Sequence, residues 1–184
     1  AAANQAIFRL TGTWNNTDVA RIHFNSGDDT TNKDDGWMNF YTRESGESGT
    51  SVRMVIRPDG KIGIGTDNPL SKLHVLGDAR VSGVVTATDF DATSDIRLKT
   101  NIKPIDDPIA KVIQIEGVSF NWKKDNQPAL GVIADQVEKI LPELVHGDDP
   151  KTVNYNGLIG LLIEVVKDQQ KQINTLSERI SKLE

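Results

Sequence analysis

Apolar and polar residues alternate in four short stretches near the start of the chain: Ala6–Leu10, Val19–Phe24, Trp37–Thr42 and Ser51–Arg57. A period of two over so few residues predicts half-buried strands. Turn-rich segments separate them, such as Asn25-Ser26-Gly27-Asp28-Asp29 and Glu44-Ser45-Gly46-Glu47-Ser48-Gly49. Residues 1–57 therefore read as a β-rich domain, with a small antiparallel sandwich as the expected form. From 58 to 93 the pieces shorten. Pro58-Asp59-Gly60 is a turn signal, and Lys61-Ile62-Gly63-Ile64-Gly65 alternates Ile with Gly. Leu73–Leu76, Ala79–Val81 and Val84–Ala87 are strand-like but very short. Such pieces form no stable sheet alone, so an intertwined β shaft or linker built from three chains is expected over 58–93.

The pattern changes again after 93. Asp106-Asp107-Pro108 ahead of Ile109–Ile113 predicts a helix start. Val118–Trp122 and Leu130–Ile133 predict strands, Ala134–Leu141 a helix ending before Pro142, and Leu144–His146 with Thr152–Tyr155 a last strand pair. Residues 94–157 thus read as an α+β domain. Residues 158–184 read as one helix in which Ile159, Val166, Ile173 and Ile180 recur every seven positions, and Leu162, Gln169, Leu176 and Leu183 follow three behind. That is the a/d seam of a coiled coil over nearly four heptads. β-branched residues at a with Leu at d favour two strands, but Gln169 and the preceding domain can override that tendency. The competing reading is an amphipathic helix packed on its own domain.

Composition narrows the possibilities. The chain has 184 residues, 5% aromatic content and no cysteine. A small aromatic-poor core without disulfides or thiolate metal sites points to oligomerisation for stability. A net charge of −5, with no basic excess in either half, argues against nucleic acid. Leu158–Val166 is too short to span a bilayer, so no membrane insertion is expected. No signal peptide is visible, and an Ala-Ala-Ala start without Met reads as part of a longer protein.

Ser94-Asp95-Ile96-Arg97-Leu98-Lys99-Thr100-Asn101-Ile102 fits the pattern Ser-Asp-x-Arg-x-Lys-x-Asn-Ile at every fixed position. It resembles the signature of the intramolecular chaperone auto-processing domain, the S74 peptidase family, found at the C-terminus of phage tailspikes, endosialidases and L-shaped tail fibres. Further matches follow in order at Phe120–Lys123, Gly131–Glu138, Pro142–Val145 and Val153–Tyr155 leading into Leu158–Lys167. Upstream, Gly63–Thr66 and Leu73–Val75 look like a repeat of fibre shafts. The resemblance implies a homotrimer that helps fold the fibre before it and then cuts the chain at Thr93–Ser94. Ser94 would be the nucleophile and Lys99 the base, with no cofactor and no metal. It also implies assembly in the host cytoplasm and residence in the virion tail fibre.

The residues allow that chemistry under conditions. A serine hydroxyl needs a base, and none of His23, His74 or His146 is near the motif in sequence. A lysine serves only when neutral, which burial or a nearby cation favours. Arg97 is a candidate cation, or equally a fork to a carboxylate. Five residues along a strand place Ser94 and Lys99 about 17 Å apart on opposite faces, and along a helix about 140° apart. Either the segment turns sharply, or Lys99 of one subunit serves Ser94 of another. Oγ could attack the Thr93 carbonyl through a five-membered ring, or attack could run in trans. The Asp95 and Ile96 amides or Asn101 are candidates to hold the oxyanion. By itself Ser-Asp more often caps a helix or turn.

Three rival readings stand beside this one. The first is a trimerisation module that does not cleave, on a receptor- or glycan-binding fibre tip. The second is a glycan hydrolase in 1–93 using Asp28, Asp29, Asp34, Asp35, Glu44 or Glu47. All these acids sit in polar loops, and Asp28–Gly36 fails the EF-hand pattern at Thr31 and Lys33. The third is a host-receptor or glycan surface built from Trp14, Trp37, Phe40 and Tyr41, residues that serve equally as core.

Overall fold

A computed structural model of the protein describes residues 2–183. The chain divides into two units, Ala1–Phe90 and Asp91–Glu184. In the first, six strands form one sheet in sequence order: β1 Ala6–Trp14, β2 Thr17–Ser26, β3 Gly36–Thr42, β4 Ser51–Ile56, β5 Ile62–Ile64 and β6 Leu73–Val75. The first four pairings are antiparallel, and β5 pairs with β6 in parallel. The expected two-layer sandwich is corrected to this single sheet. Each strand lies beside the one before it in sequence. Asn15 and Asn16, at φ 48° and 58°, make the two-residue turn between β1 and β2, because Asn tolerates the left-handed region that such hairpins need. That turn extends both strands beyond the lengths read from alternation alone.

Residues 62–64 and 73–75 join the sheet, so part of the expected shaft belongs to it. Gly63 shows why Ile alternates with Gly here. A Cβ at that position would run into the Thr66 carbonyl and the Val55 side chain. Ala79–Val81 and Val84–Ala87, expected as strands, form none in the single chain. Each is too short to hold without a paired neighbour.

Register sorts the sheet into two unlike faces. One rung runs Phe8, Phe24, Met38, Ile56, Ile62, Leu73, and the next runs Leu10, Ile22, Phe40, Met54, Ile64, Val75. Both are apolar throughout. On the other face a rung runs Arg9, His23, Asn39, Val55, Gly63, His74. The polar face is the more enclosed: Val55, His23 and Asn25 are buried there, and the His23 ring lies 4.5 Å from that of Tyr41.

In the second unit a 3-10 turn at Ile96–Leu98 precedes α1 Pro108–Val112, the hairpin β7 Val118–Asn121 with β8 Pro128–Gly131, and α2 Ala134–Ile140. A second 3-10 turn at Pro142–Leu144 leads to the pair β9 Val145–His146 and β10 Thr152–Val153. The long helix α3, Tyr155–Ile180, closes the unit. It starts earlier than the apolar pattern suggests, because Asn154 caps it by accepting from the Gly157 amide at 3.3 Å. Val137 of α2 and Leu141 just after it pack with Leu161 and Val165 of α3 as the buried core, with Ile109, Val112 and Leu144 against it. Lys151 ties the loop before β10 to α2 through Asp135 at 2.8 Å and Glu138 at 2.7 Å. No described helix is long and apolar enough to cross a membrane.

Burial, then the charges of Arg9 and Arg21, lower the pKa of His23 from its ordinary 6.5. The unfolded chain therefore binds the proton more readily, and the first unit loses stability as pH falls below about 6.5, until the lowered folded value is passed. Thermal melts from about pH 8 down to pH 5 are expected to show this slope. His23→Gln is expected to flatten it.

Candidate active site

The signature segment lies in the second unit, and its geometry follows from one carboxylate. Asp95 stands at the N-terminus of the Ile96–Leu98 turn with extended backbone, and its side chain accepts the Arg97 amide at 2.8 Å. That cap satisfies a backbone donor the turn would otherwise leave free. The same carboxylate receives the Arg97 guanidinium as a fork, with Nε 3.1 Å from each oxygen and Nη2 2.6 Å from Oδ2. Of the two roles open for Arg97, the single chain shows the fork. The guanidinium and the amide of Arg97 hold the Asp95 carboxyl below its ordinary 3.8. Asp95 in turn raises Arg97.

The tight turn brings together what neither strand nor helix would. Lys99 Nζ donates to Ser94 Oγ at 2.6 Å within one chain. Lys99 leaves the turn in extended conformation, with its amide bonded to the Ile96 carbonyl. Asn101 follows in the left-handed region at φ 53°, bending the chain away. Thr93, Ser94 and Lys99 are exposed and Asp95 is half-buried. The arrangement holds an amine on a hydroxyl beside the peptide bond that precedes the serine.

The backbone amide of Asp95 was one of the oxyanion candidates, and the Ser-Asp pair also reads as a cap; the turn uses the Asp95 side chain as both cap and fork.

The seam sits on α3 to one side of its packed face. Ile159, Leu162, Val166, Gln169, Ile173, Leu176 and Ile180 are all exposed, Ile159 at 55% and Val166 at 63%, whereas Leu161 is 1% exposed. Leu183 lies just past the helix end and is also exposed. The helix thus carries two apolar stripes, one spent on its own unit and one without cover in the single chain.

A signature turn with a serine–lysine contact stands before a small α+β core and a long helix that carries an exposed apolar seam. Residues 94–146 match the model of the family described as the chaperone of endosialidase, Peptidase S74. Among related proteins, the long tail fiber protein Gp37 of Salmonella phage S16 is 30% identical over 114 residues, 55% of this chain and 15% of that protein. Gp37 of Enterobacteria phage K3 is 29% identical over 150 residues, 76% of this chain and 11% of that protein. The chain therefore spans a small fraction of these relatives. The carboxy-terminal domain of the bacteriophage T5 L-shaped tail fiber, solved with its intra-molecular chaperone domain, shares the fold. Its TM-score is 0.56 at 19% identity, over 77% of this chain and 36% of that one.

If Asp95 holds the turn, Asp95→Ala removes both the cap and the fork. The Arg97 amide is then expected to exchange its hydrogen several-fold faster by NMR, while Asp95→Asn, which keeps an acceptor, loses less. An equal effect of the two would place the strength in the charge rather than the cap.

Proposed function

We propose that this chain is the C-terminal part of a phage tail fibre, and that its residues from Ser94 onward are an intramolecular chaperone. In this reading the domain associates as a homotrimer through α3, helps the preceding β-rich segment fold, and then cuts Thr93–Ser94. The observation that carries the reading is the 2.6 Å contact of Lys99 Nζ with Ser94 Oγ, held by the Asp95 turn. The family of residues 94–146 and the tail-fibre relatives support it.

Lys99 takes the Ser94 hydroxyl proton, and Oγ adds to the Thr93 carbonyl carbon through a five-membered ring. The C–N bond breaks, the Ser94 nitrogen leaves as an amine carrying the proton, and an ester joins Thr93 to Oγ. Water then adds to the ester, freeing the Thr93 carboxylate and the Ser94 hydroxyl. Proximity supplies much of the rate, since both reacting groups belong to adjacent residues. Association gates the step. Ser94 and Lys99 are exposed on one chain, and a neighbouring copy laid over the turn supplies the desolvation that frees the amine. Each chain cuts once, so the peptidase activity is single-turnover.

The seam supplies the association. Its flanking positions Ile163, Gln170, Ser177, Val165 and Gln172 carry no charge, and Arg179 is the charged flank within the helix, so little like-charge repulsion opposes a match of the helix with its own copies. A coil built from local contacts forms quickly and concentrates three upstream segments at one place. Cleavage then removes the helper, and the fibre's resistance to unfolding becomes kinetic. The mature fibre segment resides in the virion tail, with a host-surface receptor or glycan as its partner.

Two experiments test this. Intact mass of the incubated wild-type chain is expected to show a 93-residue and a 91-residue product, 184 minus 93, where Ser94→Ala and Lys99→Ala stay whole. A wild type that remains at 20.2 kDa while trimeric would instead support the non-cleaving trimerisation module. Charges placed in the seam by Ile173→Asp with Leu176→Asp are expected to abolish association in sedimentation and to suppress cleavage, because buried unpaired carboxylates are costly. Both substitutions lie beyond the buried core of the second unit, so its circular dichroism is expected to change little.

A further inference from the structure

Trp14 stands apart from the other aromatic side chains of the chain. Trp37 carries the Arg57 guanidinium 4.5 Å from its ring centre, and Trp122 has Phe120 edge-on at 5.2 Å. Phe40 lies in an apolar rung of the sheet, whereas Tyr41 points to the other face and rests on His23. Trp14, Trp37, Phe40 and Tyr41 therefore form no single surface. Trp14 is 78% exposed, a large apolar ring left to water at the end of β1. Antiparallel pairing in sequence order puts the β1–β2 turn and the β3–β4 loop at the same end of the sheet. Between them lies an open cleft of about 840 Å3, lined by Trp14, Asn15, Thr17, Arg43, Glu44 and Glu47 among others. That volume falls within the roughly 300–1,000 Å3 of small-molecule sites.

The walls of the cleft are set before any ligand arrives. The Arg43 amide donates to the Val19 carbonyl at 2.9 Å, which fixes the start of the loop against β2. Gly46 turns the loop at φ 89°, a conformation that glycine accepts at no steric cost. Arg43 Nε donates to the Glu47 carbonyl at 3.0 Å and closes it. Such pre-organisation lowers the cost of binding. Charge is balanced within the site, because the Arg53 guanidinium lies 3.9 Å from the Glu44 carboxylate and 3.7 Å from that of Glu47. With Arg43, two cations meet two anions.

We propose that this cleft binds a neutral saccharide, with one pyranose ring laid on the Trp14 indole. The C–H groups on one face of a pyranose are apolar and pack on an aromatic ring. The hydroxyls at its rim then reach the Asn15 amide, the Thr17 hydroxyl and the Arg43 and Glu44 side chains, which supply both donors and acceptors. Other ligand classes fit less well. Balanced charge gives no attraction to a phosphate or to an acidic sugar. A peptide needs apolar pockets for alternate side chains, and here the apolar side chains are Trp14 and Val19. The inference rests on the host-surface glycan named above as a partner of the fibre, and gives it a place on this chain.

The chain has three tryptophans, so its proton–nitrogen NMR spectrum holds three indole signals. Trp14→Phe identifies the signal of Trp14 by its loss. The full-length Ser94→Ala chain, which stays whole under the proposed mechanism, is titrated to millimolar levels with oligosaccharides of glucose, mannose, galactose and N-acetylglucosamine. Sialyllactose serves as the acidic counterpart. At least one neutral saccharide is expected to move the Trp14 signal saturably while the Trp37 and Trp122 signals stay in place. Calorimetry with that saccharide is expected to show binding weakened roughly tenfold or more in Trp14→Ala and less in Trp14→Phe, which keeps a ring. Trp14 is exposed, so neither substitution removes a buried contact, and circular dichroism checks the fold. A Trp14 signal that none of the four sugars moves overturns the site, as does equal binding by Trp14→Ala. A stronger response to sialyllactose overturns the neutral class. The chaperone reading fails on a different measurement, a wild-type chain that stays whole by intact mass.

Discussion

Burial that one chain cannot complete is the constraint on which the other features depend. The buried hydrophobic side chains among the described residues are Val55, Val137, Leu141, Leu161 and Val165, a small core for a chain of this length. The surplus apolar surface is organised rather than scattered. It forms a straight seam on α3 and two unbroken rungs on the sheet, both with the regular spacing that identical partners match. A chain without cysteine has no disulfide to make up the deficit, which is the ground on which association is proposed.

The same constraint gives the serine–lysine contact its place. Geometry is already complete in the single chain, because Asp95 folds the segment into a turn and sets Lys99 on Ser94. Environment is not complete, because the site lies open to water. Under the proposed mechanism, separating the two would let a chain carry the pair without cutting itself before it has partners, and cleavage would report that assembly has occurred.

Much of the second unit was legible in the sequence because its signals are local. Asp107-Pro108 began α1, Pro142 ended α2, and the heptad marked α3. The first unit was read less well. Alternation found the cores of β1 to β4, but Asn15-Asn16 was not recognised as a hairpin turn, so β1 and β2 were drawn short. The join of β5 and β6 to the same sheet depends on register across distant residues, which no local pattern carries. At the site, spacing excluded strand and helix, and the remaining sharp turn is what forms. The fork of Arg97 onto Asp95 was one of two open options, and the folded turn selects it.

The proposal's central claim is that association completes a site whose geometry one chain already holds. The measurement that tests it most directly is the initial rate of fragment release per chain across a dilution series, with sedimentation reporting the association state at each concentration. The account predicts a per-chain rate that rises with concentration and levels off where the chains are fully trimeric. A rate that stays constant into the range where the chains are monomers would contradict it, because the Ser94–Lys99 pair would then act without a partner.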